Sequence, residues 1–102
     1  MVADRGENAW LNTTAQDAKS LYPRLLRPVG RRFREADGWG YSKIEVDELI
    51  DRLSDYFDGK TDLSAREVRE AVFGSAKDNH AYDESVVDVY LERAASVLLS
   101  VE

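Results

Sequence analysis

The chain reads as an all-α, mainly helical protein: two pseudo-repeats of short helix–loop–long helix packed as a small helical bundle. Three observations predict this. First, a phrase recurs 41 residues on: Tyr41, Val46, Asp47 and Arg52 return as Tyr82, Val87, Asp88 and Arg93 with no gap. Leu49/Tyr90, Ile50/Leu91 and Asp51/Glu92 keep their chemical character. A repeat at this spacing marks one supersecondary unit used twice. Second, each copy continues with apolar residues at helical spacing, Val46, Leu49, Ile50, Leu53, Tyr56 and Phe57 in the first, and Val87, Tyr90, Leu91, Ala94, Val97, Leu98 and Val101 in the second. Third, such faces are not stable alone in water, so the two long helices are expected to pack on each other.

The elements follow in order. Residues 1–12 read as a flexible N-terminal arm, with Trp10 and Leu11 as its apolar members. Thr13 or Thr14 can cap a short helix over residues 14–22 carrying Ala15, Ala18, Leu21 and Tyr22. Pro23 and Pro28 oppose a long helix through Leu25 and Leu26. Gly30 to Gly40 is then a loop or hairpin around Asp37-Gly38-Trp39-Gly40. Ser42 and Glu45 fit a capping box that opens the first long helix, and Asp58-Gly59 stops it. Ser64 and Glu67 fit a second box, opening a short helix with Val68, Ala71, Val72 and Phe73 that ends at Gly74. Residues 75–81 read as a polar loop holding His80, and Asp83 caps the last helix over residues 84–100. Phe33 precedes Tyr41 by eight residues and Phe73 precedes Tyr82 by nine, which sets repeat one at 33–57 and repeat two at 63–100 of a single domain spanning 1–102.

Composition narrows the function. With 102 residues, 43% hydrophobic, 33% charged and a net charge of −6, the chain reads as one cytosolic globular domain. Its acidity argues against nucleic acid as a partner. The loop joining the last two helices is too long for a helix-turn-helix, and Asp83 and Glu84 would meet phosphates. There is no cysteine, and a lone His80 does not make a zinc site. The Asp58–Glu67 stretch fails as a calcium loop, because no register supplies the needed oxygens. No phosphate-binding or nucleophile motif is present, so neither an enzyme, a cofactor nor a metal is expected.

The phrase Gly40-Tyr41-x4-Val46-Asp47-x-Leu49-Ile50-Asp51-Arg52-Leu53 resembles the DivIVA-like motif. Leu63-Ser64-Ala-Arg-Glu67-Val68-Arg69 followed by Phe73 resembles the lead-in to it. Short tandem forms of this family occur in Gram-positive bacteria, especially actinobacteria. The resemblance implies a cytoplasmic scaffold at division sites or growing poles, acting by self-association and recruitment of other proteins. Two departures stand out: no coiled-coil heptads follow, and Ala81 replaces the glycine before the second Tyr. The family touches membranes with an aromatic beside a basic residue at a loop tip, which points to Phe33, Arg34 and Trp39 here, next to Arg31 and Arg32. The expected partners are therefore a protein, a second copy through a strip of Val86, Val89, Val97 and Val101, and more weakly a membrane. Asp47 and Asp88 read as structural residues near their helix N-termini. Tyr41 and Tyr82 are expected to cover the core with their hydroxyls at the surface, and Arg52 and Arg93 to pair with acids three or four positions away.

Overall fold

The computed structural model describes residues 19–101. The arm, Trp10 and the Thr13/Thr14 cap lie outside these residues. The element order is α1 (helical over 19–25), β1 (Trp39–Ser42), α2 (Lys43–Phe57), α3 (Ala65–Arg69), β2 (Ser75–Lys77), a 3-10 turn (Asp78–His80), β3 (Ala81–Tyr82) and α4 (Glu84–Val101). The fold is helix-rich but mixed, which corrects the all-α expectation: the three strands form an antiparallel sheet in the order β2-β1-β3. They hold four, three and two residues, too few for the alternation that announces a strand in sequence.

Helix α1 runs past Pro23 and buries Leu21 and Leu25. Helix α2 starts after Ser42 as expected, but no side-chain bond caps it. Glu45 instead accepts a hydrogen bond from the Gly74 amide at 2.9 Å. The second box does form, with the Glu67 amide donating to Ser64 Oγ at 3.1 Å. Helix α3 is shorter than its pattern suggested and ends before Phe73. Asp83 caps α4 by accepting from the Ser85 and Val86 amides.

Phe33 and Phe73 both lie outside helices, which for Phe73 corrects the short helix expected to carry it. Each instead opens an extended Phe-x-x-Ala segment that crosses to the other repeat. Tyr41 pairs with Ser75 and Gly40 with Ala76. Reciprocally, Tyr82 bridges Glu35, and the Ala36 amide donates to the Ala81 carbonyl. Ser42 donates to Gly74 and Asp83 donates to Arg34, again the same bond from opposite sides. Tyr41 and Tyr82 face each other across β1 and β3. An approximate two-fold axis passes between them. The repeats are therefore interlaced: each finishes the sheet of the other.

Gly40 sits at the tightest point, where a Cβ would overlap the Tyr82 carbonyl and the Ala36 side chain. One apolar core joins the halves. Val46 and Val87, and Leu53 and Ala94, are all buried in it. The two long helices share this core through side chains, but the backbone of α3 lies closer along α4 than that of α2 does. On α4, Val87, Tyr90, Leu91, Ala94, Val97 and Leu98 are buried as expected, and Ala95 joins them. Val101 is exposed, so the expected stripe is one turn too long.

Candidate functional site

The recurring Tyr and Asp meet across the repeats. Tyr82 of the second copy donates its hydroxyl to Asp47 Oδ1 of the first at 2.8 Å. Tyr41 of the first copy donates to Asp88 Oδ1 of the second at 2.8 Å. Phe33 stands edge-on to Tyr82 at 5.3 Å, and Phe73 is tilted against Tyr41 at 5.2 Å. One constellation is thus built twice, but in different surroundings.

The first is interior. Tyr82 is fully buried, and Asp47 and Arg32 are 3% and 5% exposed. This corrects the expectation that the Tyr82 hydroxyl lies at the surface. Arg32 fills the space between two carboxylates one helical turn apart. Its Nη2 reaches Asp51 at 2.8 Å, its Nη1 lies 3.6 Å from Asp47 Oδ1 and donates to the Asp47 carbonyl at 3.2 Å. The Gly30 amide donates to Asp47 Oδ2 at 2.9 Å, and the Arg32 amide to the Tyr82 hydroxyl at 3.3 Å. A buried carboxylate is tolerable only when so paired. Burial, together with the bond to Asp47, pushes the Tyr82 phenol up to about 12.

The second constellation opens to solvent. Tyr41 is half-buried and Asp88 exposed. Burial of its ring, then the bond to Asp88, pushes the Tyr41 phenol up to about 12 as well. In sequence, Val72 and Glu92 take the positions of Arg32 and Asp51 in the first. A groove of about 550 Å³ lies here, lined by Tyr41, Val68, Arg69, Phe73, Asp88, Leu91 and Glu92 among others. Val72, at 90% exposed, lies on its rim.

The remaining predicted residues scatter. Arg52 pairs with Glu67, 15 positions away, at 2.6 Å rather than with a near acid on its own helix. That bond holds the Glu67 carboxyl below the usual range. Arg93 lies beside Val89 and Ser96 on the exposed face of α4. Phe33 is buried, which removes it from any contact surface. Arg34 is exposed but pairs with Asp83 at 2.9 Å. Hydrogen bonds from Ser85, then from Arg34, hold the Asp83 carboxyl down to about 2. Trp39 is 69% exposed, with the Lys77 ammonium 5.7 Å from its ring centroid. The valine strip on α4 divides, with Val97 buried, Val86 half-buried, and Val89 and Val101 exposed.

Sequence reasoning met Arg32 as part of a basic cluster, Asp51 and Glu92 as matching repeat positions and Val72 as a helix residue, and placed none of them with the Tyr–Asp pairs. The signal available was the acidic pair four residues apart, Asp47/Asp51 and Asp88/Glu92, kept in both copies. Among the described residues, no group of three or more His, Asp or Glu is placed to hold a metal, and no helix is long and apolar enough to cross a membrane. No family model matches the chain, and no curated protein or solved structure is similar to it.

Proposed function

We propose that this protein is a non-catalytic interaction module of the scaffold kind. The resemblance of the Gly40–Leu53 phrase to the DivIVA-like motif is the ground for linking it to bacterial cell division or polar growth. The observation that carries the reading is the unequal use of the duplicated motif. One copy is consumed in the interior around Arg32, where it serves the fold. The other borders an open groove with an apolar wall and a charged rim of Asp88, Glu92 and Arg69. Apolar side chains exposed beside charged ones suit recognition of another protein.

Two measurements on the intact chain test this. Light scattering coupled to size exclusion reads self-association, and capture from native cytosol followed by reconstitution with the purified partner reads recruitment. Association by either route supports the reading. A strict monomer at micromolar concentration that reconstitutes with nothing overturns it.

The exposed Trp39 favours a second reading, a peripheral membrane contact. Two features weigh against it. Arg32 is inside the fold and Arg34 is paired, so the basic cluster does not act as a free patch. Asp37 and Asp78 also lie beside the same turn, both exposed. Sedimentation with anionic liposomes at low salt, comparing wild type with Trp39→Ser and Arg34→Ala, decides it. No co-sedimentation of the wild type eliminates this reading.

A further inference from the structure

We infer that the groove beside Tyr41 receives an arginine side chain presented by a partner protein, clasped between the Asp88 and Glu92 carboxylates. This rests on the interaction-module reading and names the chemistry of what the module takes.

The template is inside the molecule. Asp47 and Asp51 sit one turn apart on α2 and hold the Arg32 guanidinium, while Tyr82 donates to Asp47. Asp88 and Glu92 sit one turn apart on α4, on one face, and Tyr41 donates to Asp88 in the same way. Phe73 stands to Tyr41 as Phe33 stands to Tyr82. The difference is the residue before the Phe: Arg32 in one copy, Val72 in the other. Val72 carries no charge and points outward, at 90% exposed. The carboxylate pair is thus retained without an arginine between its two members: Arg69, which also lines the groove, reaches Glu92 alone.

Its oxygens have capacity to spare. Asp47 is satisfied by Tyr82, Gly30 and Arg32. Among the described residues, Asp88 accepts only the Tyr41 hydroxyl. Glu92 meets Arg69 at 3.5 Å between exposed side chains, a pair that solvent screens heavily. A guanidinium suits the space better than an ammonium. Its planar fork addresses two carboxylates at once, and its stem can lie along Val68 and Leu91. The Phe73 and Tyr41 rings offer a face for the cation. The net charge of −6 draws a basic segment in.

The probe is a capped tetrapeptide, acetyl-Gly-Arg-Val-Gly-amide, titrated into the intact ¹⁵N-labelled protein. Its counterpart carries neutral citrulline in place of arginine. Saturable shifts centred on residues 69–73 and 88–92 are expected with the arginine peptide and not with citrulline. Asp88→Asn should weaken binding about tenfold, because a charge-assisted bond is lost. Asp58→Asn makes the same charge change outside the groove and should leave binding unaltered. Val72→Arg should fill the groove from within, abolish peptide binding and raise the thermal midpoint.

Equal binding of the citrulline peptide overturns the proposal. So do shifts scattered over the surface, or equal effects of Asp88→Asn and Asp58→Asn. Groove shifts that grow with protein concentration alone identify a second copy as the occupant and also overturn it. Light scattering and reconstitution do not depend on this peptide, so the module reading stands or falls separately.

Discussion

At the scale of single residues, Arg32 and Val72 mark where the halves part ways. Removing Arg32 strands Asp47 in the core without its cation, so Arg32→Ala should cost about 3–5 kcal/mol in urea unfolding. The two tyrosines separate interior from surface in the same way. Tyr82→Phe leaves the buried Asp47 oxygen and the Arg32 amide without their partner, and should cost about 1–3 kcal/mol. Tyr41→Phe removes an equally short bond that water can replace, and should cost less than about 1 kcal/mol. Equal losses would show that the two constellations are energetically alike, against the burial difference. None of this was plain in sequence, where Arg31, Arg32 and Arg34 look like one basic cluster. Only the fold turns Arg32 inward and leaves Arg31 and Arg34 in water.

At the scale of elements, helices were legible and strands were not. The end of α2 followed from Asp58-Gly59 and the start of α4 from Asp83, because caps and breakers act within a few residues, whereas α2 starts after Ser42 without the side-chain cap that pointed there. The strands depend on partners some 40 positions away, and no local pattern carries that. The same cause explains why Glu45 left its expected capping role for the Gly74 amide. Sequence placed the two Tyr–Asp pairs in register but gave no hint that each tyrosine serves the other repeat's aspartate. The sheet makes one sharp demand. Gly40→Ala should destabilise by about 1–3 kcal/mol, since backbone must shift to admit the methyl beside the Tyr82 carbonyl. At the α3 terminus, Ser64→Ala should cost about 1 kcal/mol through the lost cap. Thermal melts of the two variants check both.

At the scale of the molecule, stability should depend on pH at the alkaline end. The Tyr41 and Tyr82 phenols are pushed up to about 12 in the folded protein, and burial moves Tyr90 further in the same direction. A raised folded value means these protons are held more tightly in the native state. The stabilisation is complete below pH 10 and drains away as pH rises toward 12. Urea midpoints should therefore be level to about pH 9 and fall beyond 10, with tyrosinate absorbance appearing together with unfolding. Interlacing yields a second expectation. A cut between Lys60 and Thr61 leaves fragments that each lack strands supplied by the other. Neither fragment should fold alone, and mixing them should restore the far-ultraviolet circular dichroism of the intact chain. An independently folded fragment would contradict the exchange of Phe-x-x-Ala segments described above. That exchange also bears on descent. Identical twins joined across a symmetry axis must accept every mutation at two places at once, whereas one polypeptide carrying both roles accepts it at one. An arginine can thus precede Phe33 while a valine precedes Phe73, and a change at one position leaves the brace at the other untouched.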